Sequence, residues 1–330
     1  GTLANSQAWD RLLRTGATPM PYEGVEEPYI DLEQRRTDAV LLDDIIADRY
    51  GSPRAGLRIV GDVGEGYYAI AVRKSEPDLH VALDTALQRI AHTGELRRIL
   101  SRWHIDGERQ SQFTNWTDLQ THQLTSVTEE THLDRGRVWL FFQGALITLL
   151  ISLGAMALAI PMGMLLALGK MYAPMGIRWF CGAYVEVFRG TPVLLQLYVI
   201  YYGLAGTPLQ LGAYAAAVVG LGMNYAAYEA EVYRAGIQAV PKGQMEAAVS
   251  LGMSTGLSLR RVILPQAFRM ALPSVTNDFI ALLKDSSLVS VITVVELTKR
   301  MTITAVETRS WLLPGALCAA LYFAMGYPLS

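Results

Sequence analysis

Three long stretches without a single Asp, Glu, Lys or Arg, residues 138–169, 190–228 and 310–330, limit what this 330-residue chain can fold into. An uncharged apolar run of about 18 residues or more is long enough to cross the hydrocarbon core of a bilayer as a helix. Up to Arg137, by contrast, charged residues occur at the density of a soluble domain. The 51% hydrophobic content and the net charge of -2 therefore average two regimes and describe neither. Near-zero charge without a basic cluster argues against nucleic acid as a partner. The two cysteines, Cys181 and Cys318, lie in apolar surroundings and give no disulfide framework, and no metal site is expected. There is no initiator Met and no signal peptide, and the last apolar run stops at Ser330 without a polar flank, so the expectation is a fragment cut at both ends.

Residues 1–103 read as an α/β piece. Residues 39–42 and 67–72 are strand-like, the second apolar on both faces as in a buried strand. Pro77 opens a helix with Leu79, Leu83, Leu87 and Ile90 on one face, and beyond Gly94 the residues Leu96, Ile99, Leu100 and Trp103 continue the pattern. Asp43 stands where it would cap a helix beginning at Asp44. Residues 104–137 are polar and without period, a linker that if flexible reaches on the order of 30 Å.

The membrane part begins at Val138, with Pro161 as an expected kink and Lys170 and Arg178 marking a cytoplasmic turn. Gly206-Thr207-Pro208 divides the run 190–228 into two spans, the second rich in Gly and Ala for close helix approach. Glu231 and Arg234, three apart on a helix, are placed to pair at the interface. A fourth span, 268–283, holds Asn277 and Asp278, with Lys284 and Asp285 at its exit; residues 289–309 are an external amphipathic stretch, and Trp311 starts a fifth span. Ionisable groups at membrane depth face a pathway or a partner helix. Adjacent Lys284 and Asp285 do not face each other, so each needs its own partner.

Between the third and fourth spans, residues 244–251 lack any breaker and Gly252 supplies a stop. Ser254 or Thr255 then caps a second short helix whose end Pro265 disturbs. Ala247 and Ala248 leave one side of the first helix smooth enough for another protein's groove, with Glu246 at its N-terminal end where a carboxylate suits the macrodipole. Docking helix and solvated connector both fit these residues. Glu246-Ala247-Ala248, three residues, Gly252, then Leu264-Pro265 twelve residues on resembles the EAA loop of ABC-importer permeases, with Val262 where that family usually has Ile. The resemblance implies that Glu246, Ala247, Ala248 and Gly252 couple the chain to a separate ATPase. Residues 184–192, ending in Arg189-Gly190-Thr191-Pro192, residues 226–236, and Lys284-Asp285-Ser286-Ser287-Leu288 resemble the polar amino-acid (histidine/glutamine-type) branch. Arg189 reads equally as an interfacial anchor before a Pro-started helix, and Asp278, Lys284 and Asp285 as pathway or helix-pairing groups.

Arg36 to Asp43, Tyr67 to Lys74 and Arg102-Trp103-His104 resemble the second half of an amino-acid-binding periplasmic receptor of type II, a two-lobed clamp. That resemblance implies that Thr2 opens the second lobe at the ligand and that Asp43 holds the ligand's α-ammonium. The first lobe's early strands are not in this sequence.

Together the resemblances imply a partial α/β receptor domain (1–103), a linker (104–137) and an all-α transmembrane bundle of about five spans (138–330). They imply the permease subunit of an importer for polar amino acids, not an enzyme, in a bacterial inner membrane with the receptor outside and the EAA loop in the cytoplasm. No Gly-x-x-x-x-Gly-Lys-Ser/Thr loop occurs, so no cofactor is expected on this chain, and ATP and Mg belong to the partner ATPase. A second permease subunit, identical or related, is the other expected partner. The alternative is a ligand-gated channel carrying a clamp-type receptor, although a Thr-Val-Gly-Tyr-Gly filter is absent.

Overall fold

The computed structural model describes residues 1–4, 6–64, 70–103 and 133–329. In chain order these form β1 (Thr2–Leu3), α1 (Gln7–Leu13), β2 (Pro21–Tyr22), α2 (Glu27–Glu33), α3 (Asp44–Ile46), α4 (Pro77–His92) and α5 (Glu95–Arg102). Beyond the predicted linker come α6 (Arg135–Tyr172), α7 (Met175–Gly190), α8 (Val193–Tyr198), α9 (Ala213–Ala239), α10 (Lys242–Ser250), α11 (Thr255–Ser258), α12 (Leu264–Asp285), α13 (Leu297–Glu307) and α14 (Leu312–Gly326). Contacts divide the chain into two units, Gly1–Leu41 with His132–Ser330, and Leu42–Thr131. This partition differs from the sequence boundaries, which place all of 1–103 in one domain.

The reason lies in a buried ionic contact between residues 1–41 and the helical bundle. Asp31, fully buried at the end of α2, accepts hydrogen bonds from the Tyr22 hydroxyl at 2.8 Å and the Tyr201 hydroxyl at 2.7 Å. Arg36 donates to the Asp31 carboxylate at 2.9 Å and to the Tyr201 and Leu211 carbonyls at 3.0 and 3.3 Å, and its guanidinium lies 4.2 Å from the centre of the Tyr201 ring. Burial, and next the Asp31 carboxylate, push the Tyr22 phenol well above its ordinary range, so it stays a donor. Lys299, nearly buried on α13, pairs with Glu23 of the same N-terminal piece.

Among the described residues the sheet has two strands, β1 and β2, parallel with Thr2 opposite Pro21. Residues 39–42, expected as a strand, form no regular element and do not join the sheet, although the Leu41 N–H reaches the Gly1 carbonyl at 3.0 Å. Of the second expected strand, 67–69 lie outside the described residues and 70–72 have no regular structure. A strand persists only where neighbours satisfy its backbone groups, and here too few pair. Within the unit Leu42–Thr131, α4 and α5 form as the apolar period predicts, with Gly94 at φ 73° turning the chain between them. Neither helix has a buried residue, and Leu79, Leu87, Ile99 and Trp103 stay exposed.

The bundle is built on α6, 38 residues long. It starts ahead of the predicted span because Asp134 caps it, its carboxylate accepting from the Arg137 N–H at 2.7 Å, and it runs on through Pro161. Against it lies α9 along a seam of small residues: Ala155, Ala159, Ala167, Ala216, Ala217, Ala226 and Ala230 are all 1% exposed or less. At Gly163 a Cβ would stand 2.6 Å from the Glu229 Cβ and 3.0 Å from the Ala226 carbonyl oxygen, so only glycine allows this approach. Of the described helices, α6 and the segment Leu312–Leu329 are long and apolar enough to cross a membrane. The other three spans of the five-span expectation fall on α8 with the turn after it, on α9 and on α12, which are short or polar: α8 has 6 residues, α9 contains Asn224 and Glu229, and α12 contains Pro273, Asn277 and Asp278. Residues expected to form one external amphipathic stretch make a tight turn of helix, Ser286–Ile292, and then α13. Glu296 caps α13, its carboxylate accepting from the Thr298 and Lys299 N–H groups at 2.7 Å each.

Candidate functional site: a cavity at a helix break

Pro192 has no N–H, so the Phe188 carbonyl one turn earlier loses its helical donor. The bundle replaces it with two side chains. Gln196 Nε2 donates to Phe188 O at 2.9 Å and to the Thr191 hydroxyl at 2.8 Å, while Asn224 Nδ2 on α9 donates to Phe188 O at 3.1 Å. The break is thus held open but satisfied, as interrupted backbone at membrane depth must be. Neither Gln196 nor Asn224 was singled out in the sequence, though a carboxamide four residues after a mid-run proline was the available signal.

A cavity of about 490 Å³ opens at this break. Arg189, Thr191, Asn224, Tyr228, Asp278 and Asp285 are among the residues lining it, so three of the four predicted pathway residues come together. Arg189, at the exposed end of α7, places its guanidinium 5.4 Å from the centre of the Tyr228 ring. Asp285 Oδ2 accepts from the Tyr225 hydroxyl at 2.8 Å, whereas Asp278 Oδ2 is out of solvent and has no hydrogen-bond partner among the described residues. The cavity offers an anion-binding fork, two carboxylates and an aromatic face to one small polar molecule. Lys284 turns away from its neighbour, as expected of adjacent helical residues, and lines a smaller cavity with Ser287, Thr298 and Tyr322.

At the Tyr172 end of the bundle, Glu231 bridges Lys170 at 2.8 Å and Arg234 at 2.7 Å. The loop from α10 to α12 packs onto this end through Ile237, Val240, Ile263 and Ala267. Gly252 stops α10 at φ 82°: its N–H donates to the Val249 carbonyl at 2.9 Å and that of Met253 to the Ala248 carbonyl at 3.2 Å. This is the left-handed stop expected of glycine. Ser254 caps α11 through the Leu257 N–H at 3.4 Å. Three details differ from the sequence reading. The helix starts at Lys242, so Glu246 sits in its second turn, beyond the reach of the terminal dipole. Ala248 is only 4% exposed, turned into the protein's own core, so the face left open carries Glu246 and Ala247. Pro265 opens α12 instead of disturbing an end, and the irregular turn falls just ahead of it at Leu259–Ile263.

The two residues that the resemblance assigns to a receptor, Thr2 and Asp43, fall in different units of the chain. Thr2 is fully buried in β1, its hydroxyl without a hydrogen-bond partner among the described residues, in the unit with the bundle. Asp43 belongs to the other unit, at the position before α3, exposed and making no side-chain cap bond.

A helical bundle with a polar cavity at a helix break suits a membrane transport component. The chain belongs to the family of binding-protein-dependent transport system inner membrane components, whose model matches residues 159–328. Its relatives are transport components and not enzymes. A glutamine transport system permease protein of Rickettsia bellii is 37% identical over 193 residues, 57% of this chain and 87% of that protein. The arginine transport system permease protein of Bacillus subtilis is 37% identical over 184 residues, 56% of this chain and 84% of its own length. Among solved structures, an amino acid ABC transporter crystallised with histidines superposes with a TM-score of 0.54 at 38% identity, covering 65% of this chain and 94% of the other.

Proposed function

We propose that the chain is the permease subunit, with a fused substrate receptor, of an ATP-driven importer for polar amino acids in a bacterial inner membrane. The relatives named above carry glutamine or arginine in their names, and the similar structure holds histidines, which supports an amino acid as the cargo. The observation that carries the coupling half is α10: a short helix, open on its Glu246 and Ala247 face, fixed at one end by the Gly252 stop and seated on the bundle by Ala248. A separate ATPase, using ATP and Mg, would grip this helix from the cytoplasm and drive alternating access. Arg189, Asp278 and Asp285 would line the substrate's path in the cavity, with Lys284 beside a neighbouring hollow. A second permease chain, identical or related, would complete the path across the exposed Arg189 and Tyr228 edge. Residues 1–103 would belong to the receptor on the outer side, with Thr2 and Asp43 as ligand contacts once the rest of the receptor is present.

Gly252→Asp tests this reading, because a side chain at positive φ costs on the order of 1 kcal/mol and redirects α10. Glu246→Lys reverses the charge on the open face. Both variants should insert in the membrane at normal levels yet lose copurification with the partner ATPase and transport in reconstituted vesicles. Full ATPase binding and transport in both would reduce the loop to a connector.

A further inference from the structure

The first six residues of α7, Met175 to Phe180, are all exposed, at the Tyr172 end of the bundle. They are not the residues of a solvated turn: Met175 is 86% and Trp179 75% exposed, and Ile177, Phe180 and the preceding Tyr172 half or more. Within the chain α7 buries only Cys181 and Val185, so its start has no protein surface to pack on among the described residues. Past the loop at the same end, the first turns of α12 repeat the pattern, with Phe268, Met270 and Leu272 exposed around Arg269. In an inner membrane component, aromatic and apolar side chains at helix ends belong at the headgroup level of the bilayer.

The charges at this end are uneven. Arg178 makes one side-chain hydrogen bond, to the Ala173 carbonyl at 3.4 Å, and meets no carboxylate among the described residues. No Asp or Glu occurs from Met175 to Val185; Glu186 lies 3.9 Å from Lys170, and Glu231 is taken by Lys170 and Arg234. Arg269 likewise has no ion pair among the described residues. Two exposed guanidinium groups, each flanked by exposed apolar side chains and lacking a counter-charge, call for an anion that arrives with hydrocarbon attached. We propose that anionic phospholipid covers this end of the bundle, its headgroup phosphates held by Arg178 on α7 and Arg269 on α12. The phosphate oxygens match the planar fork of each arginine, and the acyl chains cover Trp179, Phe180 and Phe268. A zwitterionic lipid brings its own ammonium to the phosphate and leaves the excess charge of the protein unmatched. Arg260, between Leu259 and Val262, neither of them exposed, lacks the apolar flank and serves as the comparison. The proposal stands on the placement of the bundle in a membrane and not on any cargo.

The test uses the full chain in nanodiscs of phosphatidylcholine alone or of equal parts phosphatidylcholine and phosphatidylglycerol. Amide hydrogen exchange in residues 175–182 is one readout, and the phospholipid retained after detergent extraction, identified by mass spectrometry, is the other. Exchange is expected to slow about fivefold where phosphatidylglycerol is present, the worth of one arginine at an anionic surface, and the retained lipid to be enriched in phosphatidylglycerol. Arg178→Gln should abolish the slowing, and the double variant with Arg269→Gln should return the retained lipid to the composition of the disc. Arg260→Gln should change neither. Both arginines are exposed, so all variants should keep the melting temperature of the parent. Equal exchange in the two lipids, or a slowing that survives Arg178→Gln, overturns the proposal. So does an equal loss in Arg260→Gln, which would make the preference a diffuse effect of net charge. Slowing that appears in phosphatidylcholine alone once an ATPase or a second permease chain is added would assign this surface to a protein and overturn it too.

Discussion

Asn224 donates to the Gln196 carboxamide oxygen at 3.0 Å, and the two side chains share one acceptor, the Phe188 carbonyl that Pro192 leaves without its helical donor. Removing Gln196 as Gln196→Leu leaves buried acceptors with less than their complement and is expected to cost about 1–3 kcal/mol. Asn224→Leu should cost a similar amount, and the double variant less than the sum because both serve one network. Thermal unfolding of the purified protein in one detergent gives all three values; strict additivity would mean that the residues act independently.

Gly163 is a second point where the fold leaves no choice. Gly163→Ala puts a methyl 2.6 Å from the Glu229 Cβ and 3.0 Å from backbone, forcing α6 away from α9. A loss of about 1–3 kcal/mol is expected, as for other overpacked cores. Gly243→Ala, where an added Cβ meets nothing within 4 Å, is the matched control and should leave the melting temperature unchanged or raise it.

The Arg36–Asp31 pair should behave as a buried ion pair, with side chains 9% and 0% exposed. Arg36→Met strands the Asp31 carboxylate and is expected to cost about 3–5 kcal/mol locally, read as faster proteolysis of residues 1–41 with the bundle intact. Combining it with Asp31→Leu should recover much of the loss. Equal cleavage in all three proteins would show that this contact does not hold the segment down.

By contrast, Glu231→Gln breaks two ion pairs that remain partly in water, with the Lys170 and Arg234 side chains 25% and 34% exposed. The expected effect on stability is no more than about 1 kcal/mol and shrinks in high salt. A larger, salt-independent loss in thermal unfolding would assign the cluster a role beyond a solvated staple.

The long helix α6, the Glu231–Arg234 pair and the Gly252 stop were legible in the sequence because each depends on local rules: apolar length, helical spacing and a glycine at a terminus. Arg189, Asp278 and Asp285 could be picked out as polar groups in apolar company, and the cavity brings those three together; Lys284 turns elsewhere because its neighbour Asp285 faces inward. What could not be read was set by contacts distant in sequence. Ala248 looked like a docking surface because its burial is supplied by the bundle end, and Glu246 looked terminal because Lys242 and Gly243 carry no obvious start signal. Asp31, Arg36 and Tyr201 are ordinary residues until the fold places 165 positions of chain between two hydrogen-bonded partners, Arg36 and Tyr201.

The glycines of the bundle divide it into stiff and yielding parts. A Cβ at Gly163 or Gly222 would collide with the opposing helix of the α6–α9 pair, and one at Gly236 would come 2.9 Å from the Ala267 carbonyl oxygen on α12. Surfaces meshed this closely do not slide without unmeshing, so α6, α9 and the start of α12 behave as one beam. Relative movement within the bundle falls instead to its interruptions, the joint between α7 and α8 at Pro192 and the irregular turns at Leu259–Ile263 and Ser286–Ile292 among them.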